Sequence, residues 1–223
     1  MQKIVTFSFD DGVTQDRKLI SLLKKYGLKC TFNLNSKLLG SKGALSKIAP
    51  DDVKEVYAGF EVASHTCTHP LLTQCSPARI AEEVVGDYLR LSELVGYPVR
   101  GFAYPGGRPN CDRLVTEMLR ACTSLVYART NISTYELSFP RDLLQWDPTL
   151  HILDLRTDEL IDRFDVAKED CLLYIWGHSF ELDRPGGWER AEAVFARIAS
   201  LHGVTCMTNM EVCDWMKEFR LRA

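Results

Sequence analysis

The run Ile4-Val5-Thr6-Phe7-Ser8-Phe9-Asp10-Asp11-Gly12 begins apolar and ends acidic. Its β-branched and aromatic residues read as a buried strand over about 3–9, and two adjacent carboxylates close it. The same plan returns along the chain. His65-Thr66-Cys67-Thr68-His69 follows a short strand at 60–63, Pro105-Gly106-Gly107 follows one at 102–104, and Gly177-His178 follows the strongly apolar stretch 171–176. Polar, chemically capable residues thus gather at the C-terminal ends of strands.

Helical stretches separate the strands. Leu19, Ile20, Leu23 and Tyr26 recur at helical spacing and stop at Gly27. Ser76-Pro77 opens a second helix with a capping hydroxyl and a proline in the first turn, and Gly96 ends it. Asn110 is placed to cap a third helix through Leu119. Further strands are expected at 125–128, 150–155 and 204–207, with helices at 157–164, 189–201 and 211–219 and an irregular segment at 129–150. Strands alternating with helices give a parallel sheet, and right-handed crossovers can close it. With 223 residues the chain is shorter than the ~250 typical of an eight-fold barrel. The expected fold is an incomplete or distorted (β/α)7 barrel forming one domain over 1–223, with an open doubly wound sheet as the alternative. In such a barrel the four polar strand ends share one face, where active sites are built.

Composition narrows the function. A formal charge of −3, from 27 basic and 30 acidic residues, argues against a polyanion-binding surface, and no nucleic-acid partner is expected. No apolar run approaches the ~20 residues of a membrane span, so no membrane partner is expected either. The eight cysteines include no CxxC pair and read as buried thiols in a reducing compartment. No leader precedes the first strand, which predicts a cytoplasmic protein as the sequence stands, or an extracellular or periplasmic one if a leader was removed. A monomer is expected.

Three of the five histidines fall at strand ends. His65 and His69 are four apart, so one helical turn, capped by Ser64 and ended at Pro70, would put both rings on one face. Two such rings can share a divalent metal that a carboxylate completes. Asp10 and Asp11 cannot both point the same way along a strand. One can ligate while the other faces the reacting water, and a cation would keep both ionised. His178 follows a run too apolar for the surface and is expected to line a cavity. The glycines at 106 and 107 let backbone approach a ligand, and the Gly106 N–H can serve an oxyanion. Tyr104, Trp146 and Trp176 can offer flat apolar faces to a ligand, although Trp176 reads better as core.

These segments resemble the polysaccharide deacetylase family, the NodB-homology carbohydrate esterases of family 4. Ser8-Phe9-Asp10-Asp11-Gly12 and His65-Thr66-Cys67-Thr68-His69 are similar to its first two motifs. Phe102-Ala103-Tyr104-Pro105-Gly106-Gly107 is similar to an aromatic variant of the third, and Tyr174-Ile175-Trp176-Gly177-His178 to the late strand ending in histidine. The resemblance implies one divalent metal held by Asp11, His65 and His69, zinc foremost, with cobalt, nickel or manganese as alternatives. It implies Asp10 as base, His178 as general acid and the Gly106 N–H as oxyanion donor, in hydrolysis of an N-acetyl or O-acetyl group on a sugar or polysaccharide. Tyr104, Pro105 and Trp146 would meet the substrate.

The sequence departs from the pattern in two places. Relatives often carry arginine two residues before the proline of the third motif, to hold the catalytic carboxylate; here Ala103 stands there. Relatives with the aromatic variant tend to have a later Pro-Arg, which points to Arg141 of Pro140-Arg141 as the partner of Asp10. The family's aspartate–tryptophan segment has its nearest counterpart in Trp146-Asp147, which leaves the carboxylate partner of His178 open. Two other functions compete: hydrolysis of another C–N bond, as in a cyclic ureide or imide, and non-catalytic carbohydrate binding. The intact Asp11, His65 and His69 disfavour the first, and the presence of Asp10 and His178 disfavours the second.

Overall fold

A computed structural model describes residues 1–222. β1 (Lys3–Asp10) leads to α1 (Asp16–Lys25), β2 (Thr31–Leu34), α2 (Val53–Val56), β3 (Glu61–Ser64), α3 (Pro77–Val95) and β4 (Gly101–Ala103). Then come α4 (Arg113–Cys122), β5 (Tyr127–Arg129), β6 (Leu150–His151), α5 (Thr157–Val166), β7 (Cys171–His178), α6 (Gly187–Ser200), β8 (Val204–Cys206) and α7 (Asn209–Arg222). The strands pair in parallel in the order β5-β4-β3-β2-β1-β7-β6. This is the incomplete barrel that the alternation predicts.

β1 is the hinge of the architecture, and every one of its residues is buried. It pairs with β7 along its whole length, from Lys3↔Cys171 to Asp10↔His178. Its other edge is shared. β8 takes Lys3 to Val5, and β2 takes Ser8 to Asp10. Strand alternation then sorts the side chains. Val5, Phe7 and Phe9 pack outward with Phe32, Leu173 and Ile175 in the layer under the helices. Ile4 faces the barrel interior with Ala63, Tyr127, Trp146, Leu172 and Tyr174. That interior is partly polar and hydrogen-bonded. Thr6 Oγ1 donates to Asn209 Oδ1 at 2.8 Å, Asn33 Nδ2 to Ser8 Oγ at 2.8 Å, and Tyr127 Oη to Glu61 Oε1 at 2.7 Å.

The gap between the outer strands is bridged by one short segment. The Trp146 N–H donates to the Ala128 carbonyl of β5 at 3.0 Å, and three residues later the Thr149 N–H donates to the Tyr174 carbonyl of β7 at 2.9 Å. The expected strand at 150–155 starts where it was read but is only two residues long, because the chain turns after His151, whose carbonyl accepts from the Asp154 N–H at 2.9 Å. Ser76 caps α3 through the Arg79 N–H, and Gly96 ends it at φ 83°, as read from sequence. The cap of α4 is Asp112, which accepts from the Val115 N–H, rather than Asn110, whose amide donates to the Tyr104 carbonyl. All eight cysteines are unpaired, and no described helix is long and apolar enough to cross a membrane.

A buried carboxyl ties α1 to the end of β7. Asp16 accepts from Ser179 Oγ at 2.5 Å and from Tyr57 Oη at 2.7 Å. Burial, only partly offset by those bonds and Lys47, raises its pKa from 3.8 to about 7. The folded state thus holds this proton more tightly than the unfolded chain. Its stabilising share is complete below the unfolded value and is lost as pH rises through about 7. Asp16→Asn keeps one acceptor oxygen, puts an amide donor where the protonated acid carries its O–H, and removes the ionisation. Its stability relative to the parent is expected to rise between pH 4 and 7, by on the order of a few kcal/mol. Urea unfolding of both proteins across that range measures this; parallel curves would refute it.

Candidate active site

The site begins in the sheet register. Asp10 pairs with Asn33 of β2 on one side and His178 of β7 on the other. Parallel partners project to the same face, so three polar side chains stand in one row. Asp10 is 2% exposed. Its Oδ1 accepts from Asn33 Nδ2 at 2.7 Å, and both oxygens accept from Arg129 Nη2, at 2.7 and 2.6 Å. Burial by itself would raise this carboxyl. Arg129, then His65 and His178, with the Asn33 bond, outweigh it and hold the pKa at about 2.

Arg129, not Arg141, is the partner of Asp10. Arg141 lies exposed in the loop before β6. Arg129 is the last residue of β5, fully buried, with its guanidinium 4.7 Å from the centre of the Trp176 ring. It is in register with Ala103, the position where relatives place their arginine. The cation therefore comes from the neighbouring strand.

Asp11, His65 and His69 bring one ligand atom each within 4.8 Å of one another. His65 Nδ1 donates to the Ala103 carbonyl at 2.8 Å, which fixes the tautomer and leaves Nε2 to face Asp10 Oδ2 at 3.9 Å. His69 Nε2 lies 3.8 Å from Asp11 Oδ1, and Lys47 Nζ lies 3.5 Å from that same oxygen. The set fits a divalent cation: two imidazoles and a carboxylate, one ring committed to presenting a lone pair. The division of the acidic pair follows, since the oxygens of Asp10 are already held by Arg129 and Asn33.

The two histidines do not sit on a helical turn. Thr66 and His69 have φ of 69° and 61°, Asp11 has 85°, and the segment is a loop. Left-handed non-glycine residues cost about 1–3 kcal/mol each and persist where the surroundings enforce them. Here α3 does so. Asp87 accepts from the Ser36 N–H at 2.7 Å, Ser64 Oγ at 2.6 Å and the His65 N–H at 3.1 Å. One turn earlier, buried Glu83 accepts from the Thr68 N–H and Oγ1. Both carboxylates were hidden in an ordinary helical charge pattern. Asp87→Ala is expected to lower zinc affinity about 10–100-fold, as loss of outer-shell support does elsewhere. Calorimetric titration of the folded variant measures this; parental affinity would show that the loop holds itself.

His178 Nε2 stands 3.9 Å from Asp10 Oδ2, and its Nδ1 donates to Glu181 Oε2 at 3.0 Å. Glu181 is thus the carboxylate partner that the sequence left open, three residues along in the turn after β7. Burial of His178 opposes its charged form, but Glu181 and then Asp10 prevail and raise its pKa above the ordinary value. Gly106 adopts φ 80°, and its carbonyl accepts from Asn131 Nδ2 at 2.9 Å, which fixes the peptide beside the cavity. A cavity of about 140 Å³ brings together Asp10, His65, His69 and His178 with Tyr104, Gly106, Asn131 and Trp176.

Two aromatic expectations are revised. Trp146 is 1% exposed and packs edge-on against Tyr127 and Tyr174, so it belongs to the barrel interior and offers no face to a sugar. Trp176 lines the cavity instead. Tyr104 does reach the cavity, although it is buried with its hydroxyl donated to the Leu144 carbonyl. Pro105 is buried beside it and outside the lining.

Comparison with known proteins bears on the family and the fold. YxkH of Bacillus subtilis (strain 168), a protein named as a polysaccharide deacetylase, is 30% identical over 115 residues, which are 51% of this chain. The chain spans 40% of that relative's length. The Xyl-CE4 domain of a multidomain xylanase from the hindgut metagenome of Trinervitermes trinervoides shares the fold with a TM-score of 0.63, at 18% identity, over 97% of this chain and 92% of that one. A family 4 acetyl xylan esterase from Clostridium thermocellum, solved with a cobalt ion, superposes with a TM-score of 0.64 at 15% identity, over 96% and 92%. The family model described as polysaccharide deacetylase matches residues 1–122, from the start of the chain to the end of α4. With more than half of its sequence matched in this way, the chain belongs to the polysaccharide deacetylase family.

Proposed function

We propose that residues 1–223 form one catalytic domain, a metal-dependent deacetylase that hydrolyses N-acetyl or O-acetyl groups on a sugar or polysaccharide. The observation that carries this reading is the position of Asp10: buried, ionised, and 3.9 Å from both His65 and His178. It therefore lies between a three-ligand donor set and an imidazole whose charged form is favoured.

Asp11, His65 and His69 would hold the ion. The chemistry a divalent ion supplies in such a set is Lewis acidity, which polarises a carbonyl and lowers the pKa of water towards ~7. That acidity is needed, because a carboxylate held at about 2 is a weak base. Asp10 takes the proton of the attacking water, and Arg129 and Asn33 keep its oxygens oriented. The Gly106 N–H stabilises the developing oxyanion, a contribution of about 3–4 kcal/mol where one such donor has been removed. His178, as imidazolium, gives its Nε2 proton to the departing amine or alcohol, while Glu181 retains Nδ1–H.

The test is acetate release after metal supplementation, over chito-oligomers, acetylated xylan, peptidoglycan fragments and free N-acetyl sugars. Release from at least one class is expected, lost on chelation and restored by metal. The pH profile is expected to be bell-shaped, with its falling limb above 6.5 because His178 is raised from that value. A protein carrying one ion per chain that releases acetate from none of these would overturn the proposal.

A further inference from the structure

We propose that His151 is a positioning residue for His178 that acts through Glu181. The inference rests on the reading of His178 as general acid. Glu181 is half-buried and carries three rotatable torsions. Left to itself, such a side chain favours solvent, because ordering it costs rotamer entropy. Here one oxygen, Oε2, accepts from His151 Nε2 at 2.8 Å and from His178 Nδ1 at 3.0 Å. His151 comes from β6 and His178 from β7, so the carboxylate is clamped from two strands.

Two details show that the clamp is built. The Leu153 N–H donates to His151 Nδ1 at 3.3 Å. A neutral ring with an acceptor at Nδ1 carries its proton on Nε2, which makes that atom the donor to Glu181. Gly177 supplies the second. A Cβ there would lie 2.7 Å from Ile152 Cγ2 and 3.2 Å from His151 Nε2. The missing side chain is what lets β6 bring the imidazole against the strand that carries His178.

His151 also lies on the far side of Glu181 from the chemistry. It faces a second, open cavity with Leu153, Asp154 and Arg184, and it does not line the cavity of Asp10. The charged and titratable groups acting on His178 are Glu181 from the turn after β7, Asp10 at the end of β1, Asp11 just beyond it, and His151 from β6. Only Glu181 touches Nδ1, so loosening it weakens the pull on the proton and leaves the others in place. His151, His178 and Glu181 also have ligand atoms close enough to hold a cation. The Leu153 bond disfavours this, since it commits Nε2 to carrying a proton.

The experiment uses zinc-loaded parent, His151→Phe and His151→Gln. Phenylalanine keeps a ring against Trp176, which His151 meets edge-on at 4.9 Å, and loses the donor. Glutamine keeps a donor and loses the ring. The His178 titration is followed by imidazole ¹⁵N NMR without substrate, with His178→Gln for assignment. The pH dependence of kcat and KM is measured on any substrate that releases acetate, and bound zinc is counted.

In His151→Phe, His178 is expected to titrate at lower pH than in the parent. The falling limb should move the same way, with kcat down about tenfold and KM within about twofold. His151→Gln is expected to restore both readouts towards the parent. An unchanged His178 titration in His151→Phe would overturn the proposal, as would equal disturbance by both variants, which would mark a packing role. A second zinc ion present in the parent and lost in both variants would also overturn it. The NMR arm needs no turnover, so a parent inactive on every substrate counts against the deacetylase reading alone.

Discussion

Asp10→Asn is expected to bind metal with nearly parental affinity and to lose most of its turnover, roughly 10²–10⁴-fold. The substitution keeps the shape of the side chain and one oxygen for Arg129, and it removes the group that accepts the proton of water. The proposed ligands are untouched: Asp11, His65 and His69 keep their own supports from Lys47, the Ala103 carbonyl and the α3 carboxylates. His65→Ala is expected to lose metal and turnover together. Zinc calorimetry beside acetate release separates the two outcomes. Equal loss of metal in Asp10→Asn and His65→Ala would reverse the division of labour between Asp10 and Asp11.

From the residues alone that division was legible only as a pair of carboxylates at a strand end, one to ligate and one to face water; the family resemblance assigned the two roles. Periodicity placed β1, β7 and their acidic and imidazole ends because both strands are long and apolar throughout. It could not supply the register, and the register is what puts Asn33, Asp10 and His178 in one row. The reading of β5 stopped at Ala128, one residue short. In the strand Tyr127 faces inward, Ala128 outward and Arg129 inward again, so that single residue separated a loop arginine from the partner of Asp10. Glu181 left a weak signal, a carboxylate three residues beyond the strand-end histidine. Glu83 and Asp87 left none, since acidic residues four apart on a helix usually face water. The two-histidine spacing was read as a turn of helix; a loop held at positive φ gives the same proximity by another route.

Removing the arginine is expected to have the largest effect on the fold. Arg129 and Asp10 are both buried, so Arg129→Met leaves an unpaired carboxylate in the barrel, and breaking such a pair costs about 3–5 kcal/mol. Burial, the largest influence on Asp10, then acts with less opposition and its pKa climbs from about 2. In the parent, the depressed value stabilises the fold above the unfolded 3.8 and is lost as pH falls through about 2. In Arg129→Met that contribution shrinks or reverses, so the deficit should be large at pH 7 and diminish in acid, where Asp10 is protonated. Adding Asp10→Asn should recover part of the loss at pH 7, since no buried charge is then left without its partner. Arg141→Ala, exposed and remote, is expected to unfold within about 0.5 kcal/mol of the parent. Urea unfolding of the parent and these three variants at pH 7 and pH 4 tests the whole argument. A deficit in Arg129→Met that neither the second substitution nor acid relieves would mean that the arginine holds the fold by packing on Trp176, and not by pairing with Asp10.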